Sequence, residues 1–279
     1  MIVRARDEAG AIGRCLALLA RQHPAPPDME TIVVDSGSRD DTAEIARDHG
    51  ARVLSLPPAS FTFGGALNLG AANAQGEILV ALSAHAFIPD TGWLERLTAA
   101  VSDPGIACAS GDRYGPDGRP LAQAVDQDLE LALRNPGWGY SNGAGAFRAE
   151  LWRRRPFRTD LPGCEDLEWA LHWLEQGYRA RIDPSLVAEH DHTHDHLPDI
   201  FRRARREAEG LALIVAGRDG AAAAASPDAA GGGVLREWWS DTRFYASPLR
   251  ARLSHRRVTR LLGARAGRRR ALRRLSGGT

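Results

Sequence analysis

Residues 31–38, TIVVDSGS, form a continuous apolar run that stops abruptly at Asp, Ser and Gly. Such a run suits a strand covered on both faces, as in a parallel sheet. Its neighbours keep the same pitch. Residues 2–5 (IVRA) predict a short strand, and Ile12, Leu16, Leu19 and Ala20 follow near the 3.6-residue spacing of a helix. Asp40 or Asp41 can cap a helix from Thr42 to Asp48, which Gly50 stops. Strands over 52–56 and 77–83 flank a helix over 65–75 that Gly76 closes. The alternation predicts an α/β fold with a doubly wound, mostly parallel sheet and helices on both faces. Ligands of such sheets bind beyond the carboxyl ends of the strands. Asp35 and Ser83–His85 stand at those ends.

The second half reads more coarsely. Helices are expected over 149–154 and 166–176, the latter with an apolar stripe of Leu167, Ala170, Leu171 and Leu174. A strand and turn over 178–192 lead into a histidine-rich loop, and an Arg-rich helix follows over 198–216. Residues 217–233, GRDGAAAAASPDAAGGG, are low in complexity and read as a loop or linker. The chain of 279 residues thus divides into an α/β domain over 1–216, that linker, and a basic helical extension over 234–279.

Charge is unevenly placed. The net charge is +1, but residues 250–279 hold eleven Arg and no acid, which leaves the remainder acidic. Residues 250–275 form a basic, partly amphipathic segment with Val258, Leu261 and Leu262 on its apolar face. Two readings stand: peripheral docking on anionic lipid, or packing against the acidic body. Nucleic acid is not an expected partner, because no aromatic reading surface accompanies the charge. No apolar run reaches the ~18 residues that span a bilayer. The opening MIVRARDEAG carries charge where a secretory signal is apolar, so the expected location is the cytoplasm. Cys15, Cys108 and Cys164 are odd in number and lack C-x-x-C spacing, and are expected to be reduced thiols.

Several side chains could carry chemistry, each with a plainer alternative. Asp35 could accept hydrogen bonds from a ribose or base, or could cap a turn. His85 could bind a divalent metal or serve as a hinge histidine. EHDHTHDH (189–196) holds four of the nine histidines, so metal binding, phosphate contact and solvated polarity compete there. Glu165-Asp166 precedes a predicted helix and could supply a general base or an N-cap. Trp138 and Tyr140 could stack on a sugar ring or line a core. The chain has neither G-x-G-x-x-G nor G-x-x-x-x-G-K-[ST], which removes the dinucleotide dehydrogenase and P-loop signatures.

Taken in order, five strings resemble inverting glycosyltransferase family 2, of GT-A fold, across residues 2–196. They are VRARDEAGAIGRCLALLARQ, TIVVDSGSRDDT, FGGALNLGAANAQGEILVALSAH, CEDLEWALHWLEQGYRARIDPS and the downstream His190-x-His192. The second, similar to V-V-D-x-G-S-x-D-x-T, is the most specific. The resemblance implies a nucleoside-diphosphate sugar donor and a hydroxyl acceptor on a polysaccharide, glycolipid or secondary product. It implies that Arg4, Arg6, Glu8, Asp35, Ser36, Asn68, Ser83 and His85 line the nucleotide site. Asp166, beside Glu165, would be the general base. The family's D-x-D motif reads Ser83-Ala84-His85 here, closer to the rhamnosyltransferase-like branch. His85, with His190 or His192 as a further ligand or phosphate contact, would then hold a divalent cation, and imidazole ligands favour Mn²⁺ over Mg²⁺; the alternative is metal-independent transfer, with Arg and His neutralising the diphosphate. Asn142, Gly143 and Gly145 fall where the family has a glycine-rich segment and would floor the sugar pocket, or the glycines would serve packing alone. The rival readings are a sugar-nucleotide-binding protein without activity and a nucleotidyltransferase, which wants a Gly-rich loop and an N-terminal Lys.

Overall fold

The computed structural model describes residues 1–23, 29–190 and 197–219. The linker beyond residue 219 and the basic extension, including 250–275, lie outside the described residues, as does His192. The chain forms two compact units, one of Met1–Asp160 with Glu165–His192, the other of Leu161–Cys164 with Thr193–Thr279.

The first unit is built on an eight-stranded sheet. Its strands are β1 (Ile2–Ala5), β2 (Ile32–Asp35), β3 (Arg52–Ser55), β4 (Ile78–Ser83), β6 (Ile106–Ser110), β7 (Val125–Gln127), β8 (Ala144–Arg148) and β9 (Arg179–Ile182), in the order β3-β2-β1-β4-β8-β6-β9-β7. The half β3-β2-β1-β4 is parallel throughout. β8 runs antiparallel between β4 and β6, and β7 antiparallel to β9. A two-stranded sheet pairs β5 (Ala86–Phe87) with β10 (Glu189–His190).

The apolar run works as expected. All four residues of β2 are buried, and side-chain alternation divides the strands between two cores. Val3, Ala5, Val33, Val80 and Leu82 face one core, together with α1 (Ile12–Leu19), α2 (Thr42–Asp48) and α4 (Trp93–Ser102). Ile2, Ile32, Val34, Leu79 and Ala81 face the other, with α3 (Phe63–Ala72), α6 (Ala149–Arg154) and α7 (Glu165–Glu175). Helices therefore cover both faces of a mostly parallel sheet, and the α/β reading holds.

Local details differ. Of the two candidate caps for α2, Asp40 does the work: its Oδ1 accepts the Thr42 backbone N–H at 3.1 Å, whereas Asp41 makes no side-chain cap bond. The Thr62 hydroxyl accepts the Gly65 N–H at 2.9 Å and starts α3 two residues early. α3 also ends three residues early, because the Asn73 amide turns back to the Leu69 carbonyl and competes with the backbone ladder. The stretch between β5 and β8, to which the sequence reading assigns no element, supplies α4, β6, β7 and the short α5 (Leu129–Arg134). The expected strand over 178–192 divides into β9, a 3₁₀ turn at Pro184–Leu186, and β10. All three cysteines are free thiols, Cys15 and Cys108 buried.

In the second unit, α8 runs from Leu197 to Asp219, past the expected end at 216. Cys164, at φ 62°, donates its thiol hydrogen to the Glu207 carbonyl at 3.1 Å. A Cβ on Gly210 would sit 2.0 Å from the Gly163 oxygen, so glycine there permits the helix to touch this segment. Among the described residues no helix is long and apolar enough to cross a membrane.

Candidate functional site

The carboxyl ends of β1 and β4 carry Arg4 and Ser83, which are register partners. Arg4 follows Ile2 on the core face under α3 and α7. Its guanidinium reaches Glu165 Oε1 at 3.4 Å and the Asn142 carbonyl at 3.2 Å, and lies 5.6 Å from the centre of the Phe63 ring. Glu165 and Asp166 open the first turn of α7, where a carboxylate complements the helix N-terminus.

Asn142 joins these groups. Its backbone N–H donates to Asp166 Oδ2 at 3.0 Å, and its side-chain amide donates to Glu165 Oε1 at 3.4 Å. Its Oδ1 accepts the Tyr140 hydroxyl at 2.8 Å. With the carbonyl bound by Arg4, all four polar groups of this fully buried residue are engaged. Asp166 also accepts the Leu167 N–H at 2.9 Å. Burial raises the Asp166 pKa, while the Asn142 and Leu167 N–H groups and Arg4 oppose that rise. Burial pushes Glu165 up to about 7; the adjacent Asp166 charge adds to this, and Arg4 pulls against it. Burial thus raises both acids, and Arg4, paired with Glu165, opposes the rise in each.

Next along the chain is an imidazole pair. The β5–β10 pairing sets His190 opposite Ala86, and the His85 and His190 rings stand edge to face with centres 6.0 Å apart. His85 Nδ1 is 2.7 Å from Glu8 Oε1, a carboxylate–imidazole contact that orients the ring. A Cβ on Gly143 would lie 3.3 Å from His190 Nε2, so the acid pair and the imidazole pair flank successive residues, Asn142 and Gly143. Among the described residues no group of three or more His, Cys, Asp or Glu side chains could hold a metal. The described residues thus bring together two imidazoles and the Glu8 carboxylate that orients one of them.

The other expected site residues are placed less uniformly. Asp35 is buried, and its carboxylate accepts the Ser38 N–H at 3.2 Å and the Ser38 hydroxyl. The turn-capping reading is therefore in force, with lone pairs remaining for a ligand. Asp35 pairs with Ala5, one position beyond Arg4, and so points to the opposite sheet face from Arg4. Ser36 is buried, and its hydroxyl has no hydrogen-bond partner among the described residues. Arg6 is half-exposed with its Nε 3.9 Å from Asp7. Asp7, at φ 53°, accepts the Arg39 N–H at 2.8 Å and ties the loop after β1 to the loop after β2.

Asn68 has structural work. It donates to the Phe157 carbonyl at 2.8 Å and accepts from Trp152 Nε1 at 2.9 Å and the Phe157 N–H at 3.0 Å. Three of its four hydrogen-bonding positions pin residues 152–157 to α3. Asn68→Ala leaves these groups unpaired and is expected to cost at least about 2 kcal/mol of stability, read by thermal unfolding, with nucleotide affinity unchanged. Tyr140 is buried behind Asn142, and Trp138 is buried with its ring N–H on the Tyr114 carbonyl, so neither offers a face to a sugar. Gly145 faces Tyr140 and the Ser141 carbonyl and does not floor an open pocket. The Asn142 hub and the Glu8–His85 contact carry no sequence signal of their own, because both join residues far apart in the chain.

Comparison with known proteins places this architecture. The O-antigen chain rhamnosyltransferase RfbN of Salmonella typhimurium is 26% identical over 194 residues, covering 62% of this chain and 60% of that protein. Glycosyltransferase AglE of Haloferax volcanii is 27% identical over 208 residues, 68% of this chain and 64% of that one. The chain thus spans less than two thirds of the length of either relative. Among solved structures, a mannosyltransferase from Pyrobaculum calidifontis, in complex with GDP-Man and Mn²⁺, superposes with a TM-score of 0.66 at 21% identity, covering 95% of this chain and 85% of that one. Glucosyl-3-phosphoglycerate synthase from Mycobacterium tuberculosis gives 0.57 at 21% identity over 78% of each chain. At these identities the structures speak for a shared GT-A-like fold. The profile described as Glycosyl transferase family 2 matches residues 1–159, more than half of the sequence, and the chain belongs to that family.

Proposed function

We propose that this protein is an inverting glycosyltransferase that moves a sugar from a nucleoside-diphosphate sugar to a hydroxyl acceptor. The observation that carries the reading is the acid pair held by Asn142 and Arg4 directly beside the His85–His190 pair. A base and a diphosphate-neutralising group are the two things such a transfer needs. Asp166 accepts the proton of the acceptor hydroxyl. That hydroxyl attacks the anomeric carbon from the face opposite the leaving diphosphate, and configuration inverts. Asn142 N–H and Leu167 N–H orient the Asp166 carboxylate toward this task. His85, steadied by Glu8, and His190 would hold a divalent cation, with Mn²⁺ the best match to imidazole ligands. When bound, the cation offsets charge on the departing diphosphate.

The likeness to the O-antigen chain rhamnosyltransferase supports a hexose or deoxyhexose donor and an acceptor belonging to a cell-envelope polysaccharide or glycolipid. We assign peripheral contact with anionic membrane to residues 250–275, on their basic sequence.

Thermal unfolding against UDP, GDP and dTDP, each with and without Mn²⁺, tests the proposal. A ligand at about 100 times its Kd adds roughly 2.7 kcal/mol of stability. One diphosphate is expected to stabilise the protein, Mn²⁺ to add to that shift, and His85→Ala to lose the added part. Folded protein that answers none of the three diphosphates would remove the reading.

A further inference from the structure

Arg4 stands at the end of a strand whose other residues are apolar, and its side chain is only 14% exposed. The Asp35 carboxylate lies on the opposite sheet face, as the register of β1 with β2 requires. What surrounds the guanidinium is the acid pair: Glu165 at 3.4 Å, the Asn142 carbonyl at 3.2 Å, and the Phe63 ring beneath. Its Nε is buried without a hydrogen-bond partner among the described residues, so all of its bonding there is spent through the two terminal nitrogens.

We propose that Arg4 is a positioning residue for the acid pair and not a nucleotide contact: through Glu165 and the Asn142 carbonyl it holds Asp166 in the aimed, anionic state that a base needs. This inference rests on the transferase reading above. Arg4 has two routes to Asp166. One is electrostatic, since a cation within a few ångströms of buried carboxylates favours their ionised forms. The other is geometric, since the residue whose carbonyl Arg4 binds is the residue whose N–H holds Asp166.

Among the described residues, three groups of this kind act on the pair. Arg4 approaches from β1 and Cys108 from β6, and Tyr140 lies behind Asn142. Burial raises the pKa of both Cys108 and Tyr140 and keeps them neutral. Arg4 is then the cation, among the described residues, that favours the ionised form of both acids, alongside the N–H groups that hold Asp166. Arg4→Gln removes the charge at modest change in size. Arg4→Lys keeps the charge but loses the fork that reaches Glu165 and Asn142 together.

The test uses the full chain and three readouts. Infrared difference spectra across pH follow the carboxylic-acid C=O band of the pair, which Glu165→Gln assigns. Calorimetry gives the Kd of the nucleoside diphosphate that stabilises the wild type. Donor hydrolysis, with water as acceptor, gives kcat and KM. Arg4→Gln is expected to raise the midpoint of the carboxyl band by about 1–3 pH units. Arg4→Lys is expected to leave the midpoint nearly in place and to lower kcat about tenfold or more. For both variants, donor KM and diphosphate Kd should stay within about twofold. An unmoved midpoint in a folded Arg4→Gln protein overturns the proposal. So does a diphosphate Kd weakened about tenfold by either variant, which would make Arg4 a nucleotide ligand. If near-ultraviolet circular dichroism shows that Arg4→Gln is not folded, Arg4→Lys decides alone: lower kcat at unchanged Kd supports the role, and unchanged kcat overturns it. A wild type that binds no nucleoside diphosphate sinks the transferase reading instead. The infrared midpoint is measured without ligand and still reports whether Arg4 controls the pair.

Discussion

Asp166→Asn is expected to lower sugar transfer by about 10²–10⁴-fold while leaving nucleoside-diphosphate affinity nearly unchanged. The magnitude is that of a lost general base. The substitution keeps size and position, and the oxygen of the new amide can still accept one of the two N–H groups, from Asn142 or Leu167, that now hold the carboxylate. The fold should survive, because burial penalises the charge that the variant removes. Steady-state transfer and titration calorimetry together check this. Loss of turnover with intact binding is the expected pattern. Turnover close to wild type would take the base assignment away from Asp166 and leave Glu165 to be tested by Glu165→Gln. Loss of nucleotide binding would place the carboxylate on the donor side of the reaction. The same experiment separates a catalyst from a sugar-nucleotide-binding protein without activity.

Gly145→Val is expected to destabilise the protein by at least about 3 kcal/mol, with a fall of roughly 6–12 °C in melting temperature. Gly145 lies on β8, paired with Ala81 on one side and Ser110 on the other, so neither neighbouring strand can move away without breaking the ladder. A Cβ there would meet the Ser141 oxygen at 2.5 Å, Tyr140 Cε2 at 2.7 Å and the Ala109 oxygen at 2.9 Å. Two of those atoms are backbone. The third belongs to the ring whose hydroxyl clamps Asn142, so the acid pair is expected to loosen with the core. Thermal unfolding reads the first effect. A melting temperature within about 1 °C of wild type would mean that the strand absorbs the extra methyls.

Much of the parallel half of the sheet was legible in the residues. The run before Asp35 announced a strand buried on both sides, and β1, α1, α2, β3 and β4 began and ended within two residues of their expected bounds. These are local signals, set by side-chain periodicity and by Asp, Thr and Gly at element ends. The antiparallel half was not legible. IACAS, the sequence of β6, is small and uniformly apolar, with no period to mark it. That β8 enters between β4 and β6 is a matter of strand order, which no local pattern encodes.

The site divides in the same way. Sequence alone named Glu165, Asp166, His85 and His190 as candidates, because acids before a helix and a histidine at a strand end are local features with chemical meaning. Asn68 was selected with them, yet its amide meets Trp152 and Phe157, residues 84 and 89 positions away. Arg4 was assigned to the same pocket as Asp35, and strand register sends the two to opposite faces. The sequence by itself determined which chemical groups stand at the ends of which elements. Only the tertiary structure decided which of them meet, because the chain must return across 161 residues before Arg4 finds Glu165, and across 77 before Glu8 finds His85.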